Sequence, residues 1–143
     1  MFDLKTLVRP KTPEEAVRAF LETEGTGLYV AGGSIIIPTG SPSLDYLVDL
    51  TSLPLDYISS DDSNGAPVLT VGATTRIADL IDAPGLERPE WAAISDAARH
   101  VANHTVRNRA TVGGNIFAAH YPSDLPPVLL ALGADVVLHG KSG

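Results

Sequence analysis

A short apolar run that ends in two adjacent glycines constrains the fold of this chain more than any other feature. Leu28–Ala31 is apolar and predicts a buried strand, and Gly32-Gly33-Ser34 follows it at once. Paired glycines let the backbone bend sharply, so a tight turn is predicted directly after the strand. A helix is predicted upstream, because Thr12 is suited to cap it and Pro13 fits its first position. With a second strand predicted at 47–50, this order is typical of a small α/β lobe.

The rest of the chain is predicted to add a hairpin and several helices. Asn64-Gly65 is a strong hairpin signal inside a turn-rich stretch, 59–67. That stretch is either a surface hairpin or a boundary between lobes, and we place the two lobes at 1–58 and 59–143. The patterns predict helices at 75–81, 91–101 and 124–132, and strands at 57–58, 68–71 and 136–138.

Composition excludes several classes of function. The 143 residues include no cysteine, which rules out disulfides, thiolate zinc sites, a cysteine nucleophile and a cysteine-held iron–sulfur cluster in this chain. A net charge of −7 and an aromatic content of 6% argue against nucleic-acid binding and against a polybasic membrane surface. The longest apolar stretch, 125–134, is too short to span a bilayer, and no signal peptide is visible. We therefore expect a cytoplasmic protein without a membrane partner.

Two other patterns point to no particular chemistry. Gly140-Lys141-Ser142 is similar to the end of a phosphate-binding P-loop, but position 135, where that motif needs glycine, is Asp135. His100 and His104 are spaced to share a helix face, yet no third ligand has suggestive spacing, so no metal site is predicted. Hydrolase motifs are absent, and no catalytic side chain is predicted.

Two glycine motifs suggest binding of an anion. The first is Ala31-Gly32-Gly33-Ser34-Ile35, and the second is Thr111-Val112-Gly113-Gly114-Asn115. Successive backbone N–H groups in such turns can cradle a phosphate, and Ser34, Thr111 and Asn115 are able to add hydrogen bonds. Taken alone, each motif is better explained as a tight turn without a ligand.

The motifs occur together in an order that resembles a known family. The most specific segment is Val106-Arg107-Asn108-Arg109-Ala110-Thr111-Val112-Gly113-Gly114-Asn115, and Asp124-Leu125-Pro126-Pro127 follows it. Upstream blocks are Ala31-Gly32-Gly33-Ser34, Val48-Asp49-Leu50 and Val71-Gly72-Ala73-Thr74-Thr75. These blocks resemble, in the same order, those of the FAD-binding medium subunit or domain of the molybdenum hydroxylases, which include xanthine dehydrogenase and aerobic carbon monoxide dehydrogenase.

The resemblance implies a fold, a cofactor and a set of binding residues. The implied fold is a two-lobed α/β domain, with a small, partly parallel lobe followed by a mainly antiparallel lobe with helices. FAD is the implied cofactor, and it would lie extended between the lobes. The pyrophosphate would be held by the backbone of Ala31, Gly32, Gly33, Ser34 and Ile35, with Gly114 and Asn115 approaching from the second lobe. Thr111 and Asp124 would hydrogen-bond other parts of FAD.

The resemblance also implies a role in electron transfer. A molybdopterin-binding large subunit would hydroxylate the substrate, and a small subunit would carry [2Fe–2S] clusters that pass electrons to FAD. An external, soluble acceptor would then be reduced. The chain would be an oxidoreductase component that is not active alone on the hydroxylated substrate. The absence of cysteine agrees with clusters on another polypeptide.

Departures from the family pattern support an alternative function. The first glycine turn is followed by Ile35-Ile36-Ile37-Pro38 where the family usually has Asp or Asn and later a basic residue. His120-Tyr121 replaces the usual Ser-Pro, and the family segment that follows position 143 and helps to cover the flavin ring is not in this sequence. We therefore expect an incomplete second lobe. The alternative is a truncated family member that lacks flavin and serves as a docking or assembly module.

Overall fold

The computed structural model describes residues 4–36, 43–62, 65–118 and 123–141. Within it the chain forms two compact units, one of residues 1–54 with 136–143 and one of residues 55–135. The sequence placed the lobes at 1–58 and 59–143, so the units differ from them in the segment 55–58 and in the last eight residues. That the two units are the two FAD-binding lobes stays a prediction.

The described residues of the first unit include a three-stranded parallel sheet and the helix that follows its first strand. Strands β1 (Thr6–Val8), β2 (Gly27–Val30) and β3 (Tyr46–Asp49) lie in the order β1-β3-β2, with β3 parallel to both neighbours. Helix α1 (Pro13–Glu22) begins at its predicted cap. Parallel strands need a crossover connection, and α1 connects β1 to β2, which lie on either side of β3.

Aromatic packing fixes α1 against the sheet. The Phe20 ring stacks on Tyr29 with 4.5 Å between centroids and meets Tyr46 edge-on at 5.9 Å. The Tyr46 hydroxyl donates a 2.9 Å hydrogen bond to the Phe20 carbonyl. The prediction that Leu28–Ala31 is a buried strand was wrong about burial, because β2 is an edge strand and Leu28 and Tyr29 are each 38% exposed. The buried centre of the sheet is β3, which has a neighbour on each side.

Asp49 ends β3 and begins the short 3₁₀ turn Leu50–Ser52. Its carboxylate accepts from the Thr51 amide at 3.0 Å and the Thr51 hydroxyl at 2.7 Å, and Arg9 Nε lies 3.3 Å away. Partial burial raises the pKa of Asp49, but the hydrogen bonds from Thr51 and the pairing with Arg9 outweigh it, so the pKa is lowered. The central residue of the Val48-Asp49-Leu50 block is therefore a cap.

A lowered pKa for Asp49 predicts a defined pH dependence of stability. The unfolded carboxyl titrates near pH ~3.9. Because the folded pKa is lower, the stabilisation is present above that pH and is lost as the pH falls through the folded value. We expect Asp49→Asn to lower the free energy of unfolding at pH 7 by about 1 kcal/mol and to flatten its fall below pH ~4. Urea unfolding at pH 7 and at pH 3 measures both, with exposed Asp56→Asn as the control; equal losses at the two pH values would contradict this prediction.

In its described residues, the second unit combines a hairpin with four α-helices. Strands β4 (Ile58–Asp61) and β5 (Val68–Val71) pair antiparallel, which confirms the predicted hairpin, although Asn64 lies outside the described residues. The helices are α2 (Ala92–His100), α3 (His104–Arg107), α4 (Val112–Ala118) and α5 (Leu125–Ala131). The hydrophobic core of the unit is formed by the buried side chains of Ile77, Leu80, Leu86, Trp91, Ile94, Ala97, Ala98, Val101, Ala110, Val112 and Leu125. The predicted fold class, a small parallel lobe followed by an antiparallel lobe with helices, is confirmed.

Two predicted elements of the chain differ from the structure. The helix expected at 75–81 is only a 3₁₀ turn, Ile77–Leu80, because the preceding residues pair with a distant segment instead of continuing a helix. The strand expected at 136–138 does not form: in the described part of the chain nothing pairs with it, and Val137 is 96% exposed. An extended apolar segment becomes a strand only when a neighbour accepts its backbone hydrogen bonds.

Candidate functional site

The first glycine motif begins where β2 ends. Ala31 follows Val30 directly, and Gly33 has φ of +63°, a left-handed conformation that glycine adopts without strain. Within the described residues, the amides of Gly32, Gly33 and Ser34 donate no hydrogen bond to the protein. The carboxyl ends of parallel strands are where α/β sheets commonly bind ligands. The turn therefore presents three consecutive backbone donors that have no acceptor in this part of the protein.

The second glycine motif is the beginning of a helix, not the isolated turn that the sequence suggested. Thr111 is buried, and its hydroxyl oxygen accepts a 3.2 Å hydrogen bond from the Gly114 amide. The Asn115 amide donates to the Thr111 carbonyl at 2.9 Å, which closes the first turn of α4. Thr111 is thus the N-cap of this helix. The Thr111 hydroxyl oxygen already accepts a hydrogen bond within the protein, while the hydroxyl hydrogen remains available to donate one.

A segment distant in sequence, around Ala73 and Thr75, binds the backbone of the second glycine motif. The Gly113 amide donates to the Ala73 carbonyl at 2.9 Å, and the Val112 amide donates to the Thr75 carbonyl at 2.9 Å. A Cβ at Gly113 would lie 2.8 Å from that Ala73 carbonyl oxygen, so only glycine fits here. The two sequence blocks that contain these residues are therefore one structural unit. Their partnership was not visible in the sequence, because nearly forty positions separate them.

The structure brings the second set of predicted site residues together. Gly114 is exposed, and Asn115 Oδ1 accepts a 2.7 Å hydrogen bond from the Ser123 hydroxyl. Asp124 immediately precedes α5, and its exposed carboxylate makes no capping hydrogen bond there. Asn115 and Asp124 are therefore linked through Ser123, a contact that the sequence did not reveal.

The predicted site residues belong to different units. Those of the first motif, Ala31, Gly32, Gly33, Ser34 and Ile35, lie in the first unit, whereas Thr111, Gly114, Asn115 and Asp124 lie in the second. The contact that Thr75 makes was not predicted: its hydroxyl accepts from the Tyr57 amide at 3.1 Å and donates to the Tyr57 carbonyl at 3.0 Å. The departures at His120 and Tyr121 lie outside the described residues.

His100 and His104, which the sequence spaces four residues apart, belong to two different helices. His100 Nδ1 lies 2.8 Å from the Asp96 carbonyl of its own helix, while His104 begins the next helix. In the ranges 4–36, 43–62, 65–118 and 123–141, no group of three His, Cys, Asp or Glu side chains is arranged to hold a metal ion. No helix in those same ranges is long and apolar enough to cross a membrane.

Comparison of the sequence with known proteins identifies a family. A family model described as the FAD binding domain in molybdopterin dehydrogenase matches residues 2–143. The glyceraldehyde dehydrogenase medium chain of Sulfolobus acidocaldarius is 34% identical over 140 residues, which are 95% of this chain and 48% of the relative. The carbon monoxide dehydrogenase medium chain of Hydrogenophaga pseudoflava is 30% identical over 138 residues, 94% of this chain and 46% of that one. The chain spans about half the length of the curated relatives it matches.

Structural comparison gives the same result. The fold superposes on the Cu,Mo-CO dehydrogenase in its cyanide-inactivated form with a TM-score of 0.81 and 25% identity, covering 93% of this chain and 46% of that chain. Quinoline 2-oxidoreductase from Pseudomonas putida 86 gives a TM-score of 0.66 at 25% identity, over 81% of this chain and 40% of that one. The match over nearly the whole sequence confirms the resemblance seen in the ordered blocks. The chain belongs to the family of FAD-binding domains of molybdopterin dehydrogenases.

Proposed function

We propose that this chain binds FAD through its two glycine motifs and serves as the electron-transfer part of a cytoplasmic molybdenum hydroxylase. In this role it receives electrons from [2Fe–2S] clusters on a small partner subunit and delivers them to a soluble acceptor. A molybdopterin-binding large subunit hydroxylates the substrate, so the chain alone is not active on that substrate. The family is one of oxidoreductase components, and the relatives named above are medium chains of such enzymes.

The observation that carries this proposal is the row of unused amides at Gly32, Gly33 and Ser34. Consecutive N–H groups around a left-handed glycine form a concave anion site, which suits the pyrophosphate of FAD. The chain has a net charge of −7, so its overall field repels an anion. Binding therefore depends on local backbone dipoles at the turn. The donors present fit the group that the family binds.

The second motif supplies complementary contacts. Gly114 has no side chain and is exposed, so a ligand can approach its backbone closely. The Thr111 O–H is able to donate to a phosphate or carbonyl oxygen, and the exposed Asp124 carboxylate is able to accept from a ribose or ribityl hydroxyl. Ser123 orients the Asn115 amide through their 2.7 Å hydrogen bond.

The described residues bind and orient, and they perform no acid–base step. When bound, FAD supplies the redox chemistry, and the protein determines its orientation and its electrostatic surroundings. The two motifs act through backbone donors, hydroxyls and an amide, and Asp124 adds one carboxylate. None of these groups needs to gain or lose a proton during electron transfer. This agrees with the absence of a predicted catalytic side chain.

The second candidate function is docking without flavin. The apolar run Ile35-Ile36-Ile37-Pro38 favours it, because the family has polar and basic side chains after the first glycine turn. In that case the chain keeps the fold and binds partner subunits, but the amides of the first turn hold no pyrophosphate. The two functions differ in one property, the uptake of FAD.

The absorption spectrum of the purified chain tests the proposal. We expect a flavin spectrum, or saturable uptake when FAD is titrated into colourless protein. Riboflavin is the control ligand, since it carries the same ring without phosphates and is expected to bind at least tenfold more weakly. A folded chain, checked by far-UV circular dichroism, that takes up no FAD would overturn the proposal and favour docking.

A further inference from the structure

Arg107 occupies an unusual position beside the second glycine motif. Its Nη1 lies 3.2 Å from the Arg99 carbonyl, 3.0 Å from the Val101 carbonyl and 3.4 Å from the Ala102 carbonyl. These oxygens belong to the C-terminal end of α2 and the residues just after it, where carbonyls lack partners within the helix. A cation at a helix C-terminus interacts favourably with them.

The three carbonyls converge because the chain reverses after α2. Ala102 has φ of +44°, a left-handed conformation that is strained for any residue with a Cβ. Asn103 then caps α3, its Oδ1 accepting a 3.0 Å hydrogen bond from the Val106 amide. Carbonyl groups whose oxygens converge repel each other, so a hydrogen-bond donor shared by all three is needed to stabilise this change of chain direction. Arg107 is that donor.

This arrangement leaves one buried N–H group of Arg107 without a hydrogen-bond acceptor among the described residues. Arg107 Nε is buried and has no hydrogen-bond partner among the described residues. A buried N–H without an acceptor destabilises a fold, and an apolar side chain of similar length would avoid the penalty. The interactions of Nη1 are therefore what an arginine contributes at this position.

A short, tightly bonded connector joins Arg107 to the glycine motif. The Ala110 amide donates to the Val106 carbonyl at 2.7 Å, and the Arg109 amide donates to the same carbonyl at 3.0 Å. Ala110 is buried in the core, and Thr111, the cap of α4, follows it. A shift of α3 against α2 is thus transmitted over four residues to the cap and to Gly114.

We propose that Arg107 is a positioning residue of the FAD site, which holds the second glycine motif in place by clamping α3 to the end of α2. The inference rests on the proposed function, although Arg107 acts through the backbone rather than by touching the cofactor. Positioning by a residue outside the site matters because displacements of an ångström weaken binding groups strongly.

Two substitutions and a matched control test this proposal. Arg107→Met keeps the apolar stem and removes the donors, and Arg107→Lys keeps a charged donor. The control is Arg109→Met, at an exposed arginine whose side chain makes no hydrogen bond or ion pair in the described part of the chain. Amide hydrogen exchange is measured without FAD, and FAD affinity is measured by titration.

Exchange at the Val112 and Gly113 amides is the first readout. Arg107→Met is expected to accelerate it at least about tenfold, through local opening, while Val48 in the other unit is unchanged. The same variant is expected to raise the Kd for FAD about tenfold, the effect of misplacing roughly one hydrogen bond to a charged group. Arg107→Lys should recover most of both effects, and Arg109→Met should leave exchange as in the parent.

Several results would overturn the positioning role. Unchanged exchange at Val112 and Gly113 in Arg107→Met would do so, as would faster exchange that extends to Val48, because Arg107 would then stabilise the chain only generally. Equal weakening of FAD by Arg109→Met would show that charge, not position, is responsible. If the parent chain takes up no FAD, the proposed function fails, yet exchange still decides whether Arg107 fixes the motif. If Arg107→Met does not fold, Arg107→Gln is measured instead.

Discussion

Gly114→Val is expected to abolish FAD binding while the chain remains folded. Gly114 is exposed, and the nearest atom to a Cβ added there is the Thr111 hydroxyl oxygen, at 2.9 Å. A branched side chain would occupy the surface that the phosphates approach and would disturb the capping hydroxyl as well. We expect the Kd for FAD to rise at least 100-fold, equivalent to about 2.7 kcal/mol or more. The cost in folding free energy should be only about 1 kcal/mol, since the added side chain weakens the cap that Thr111 provides.

The control for this prediction is another exposed glycine. A Cβ at Gly140 meets nothing within 4 Å, so Gly140→Val should leave FAD binding as in the parent chain. Gly114→Ala is a graded variant whose single methyl group is expected to weaken binding less than valine does. FAD titration of all three variants, with urea unfolding alongside, separates lost binding from lost folding. Parent-like affinity in Gly114→Val would show that the second glycine motif does not contact FAD.

Gly72→Ala is expected to lower the free energy of unfolding more than any other substitution proposed for this chain. A Cβ at Gly72 would lie 2.6 Å from the Leu55 carbonyl carbon and 2.9 Å from Tyr57 Cδ1. Neither side can move away easily, because the Gly72 amide donates to the Tyr57 carbonyl at 2.8 Å and the Thr74 amide donates to the Leu55 carbonyl at 3.0 Å. Backbone clashes of this kind are relieved only by breaking such bonds. We expect the free energy of unfolding to fall by about 3 kcal/mol or more.

Urea unfolding checks this prediction, again with a variant at position 140 as the control. Gly140→Ala has open space around the new methyl group and should change the free energy of unfolding by less than about 0.5 kcal/mol. The residues just after Gly72 hold the second glycine motif, so FAD affinity should fall in Gly72→Ala as well. A free energy of unfolding within about 0.5 kcal/mol of the parent would contradict this prediction, because it would mean that the Leu55 backbone moves aside without loss of stability.

Local signals predicted those elements whose stabilising groups are neighbours in the chain. Helix α1 begins at Thr12 and Pro13 because a cap and a first-position proline need only the adjacent residues. The hairpin formed for the same reason, since its strands are close in sequence. Strand β1 was not predicted: Thr6–Val8 is three residues long and is a strand only because β3 pairs with it.

Burial was harder to predict than the elements themselves. Leu28–Ala31 was expected to be a buried strand, yet β2 lies at the edge of its sheet. Strand order decides which strand has neighbours on both sides, and it depends on how the whole unit closes. The segment at 136–138 shows the same limit, since a run of apolar residues alone does not provide a strand partner.

The ordered blocks along the chain were sufficient to identify the family, its cofactor and the residues proposed to bind it. They did not reveal that Thr111 caps a helix, that Ala73 and Thr75 support the second glycine motif, or that Arg107 holds the end of α2. Motifs persist in sequence because each needs particular residue types at a fixed spacing. Contacts between blocks depend instead on the folded path of the chain, which brings a carbonyl at position 73 to an amide at position 113.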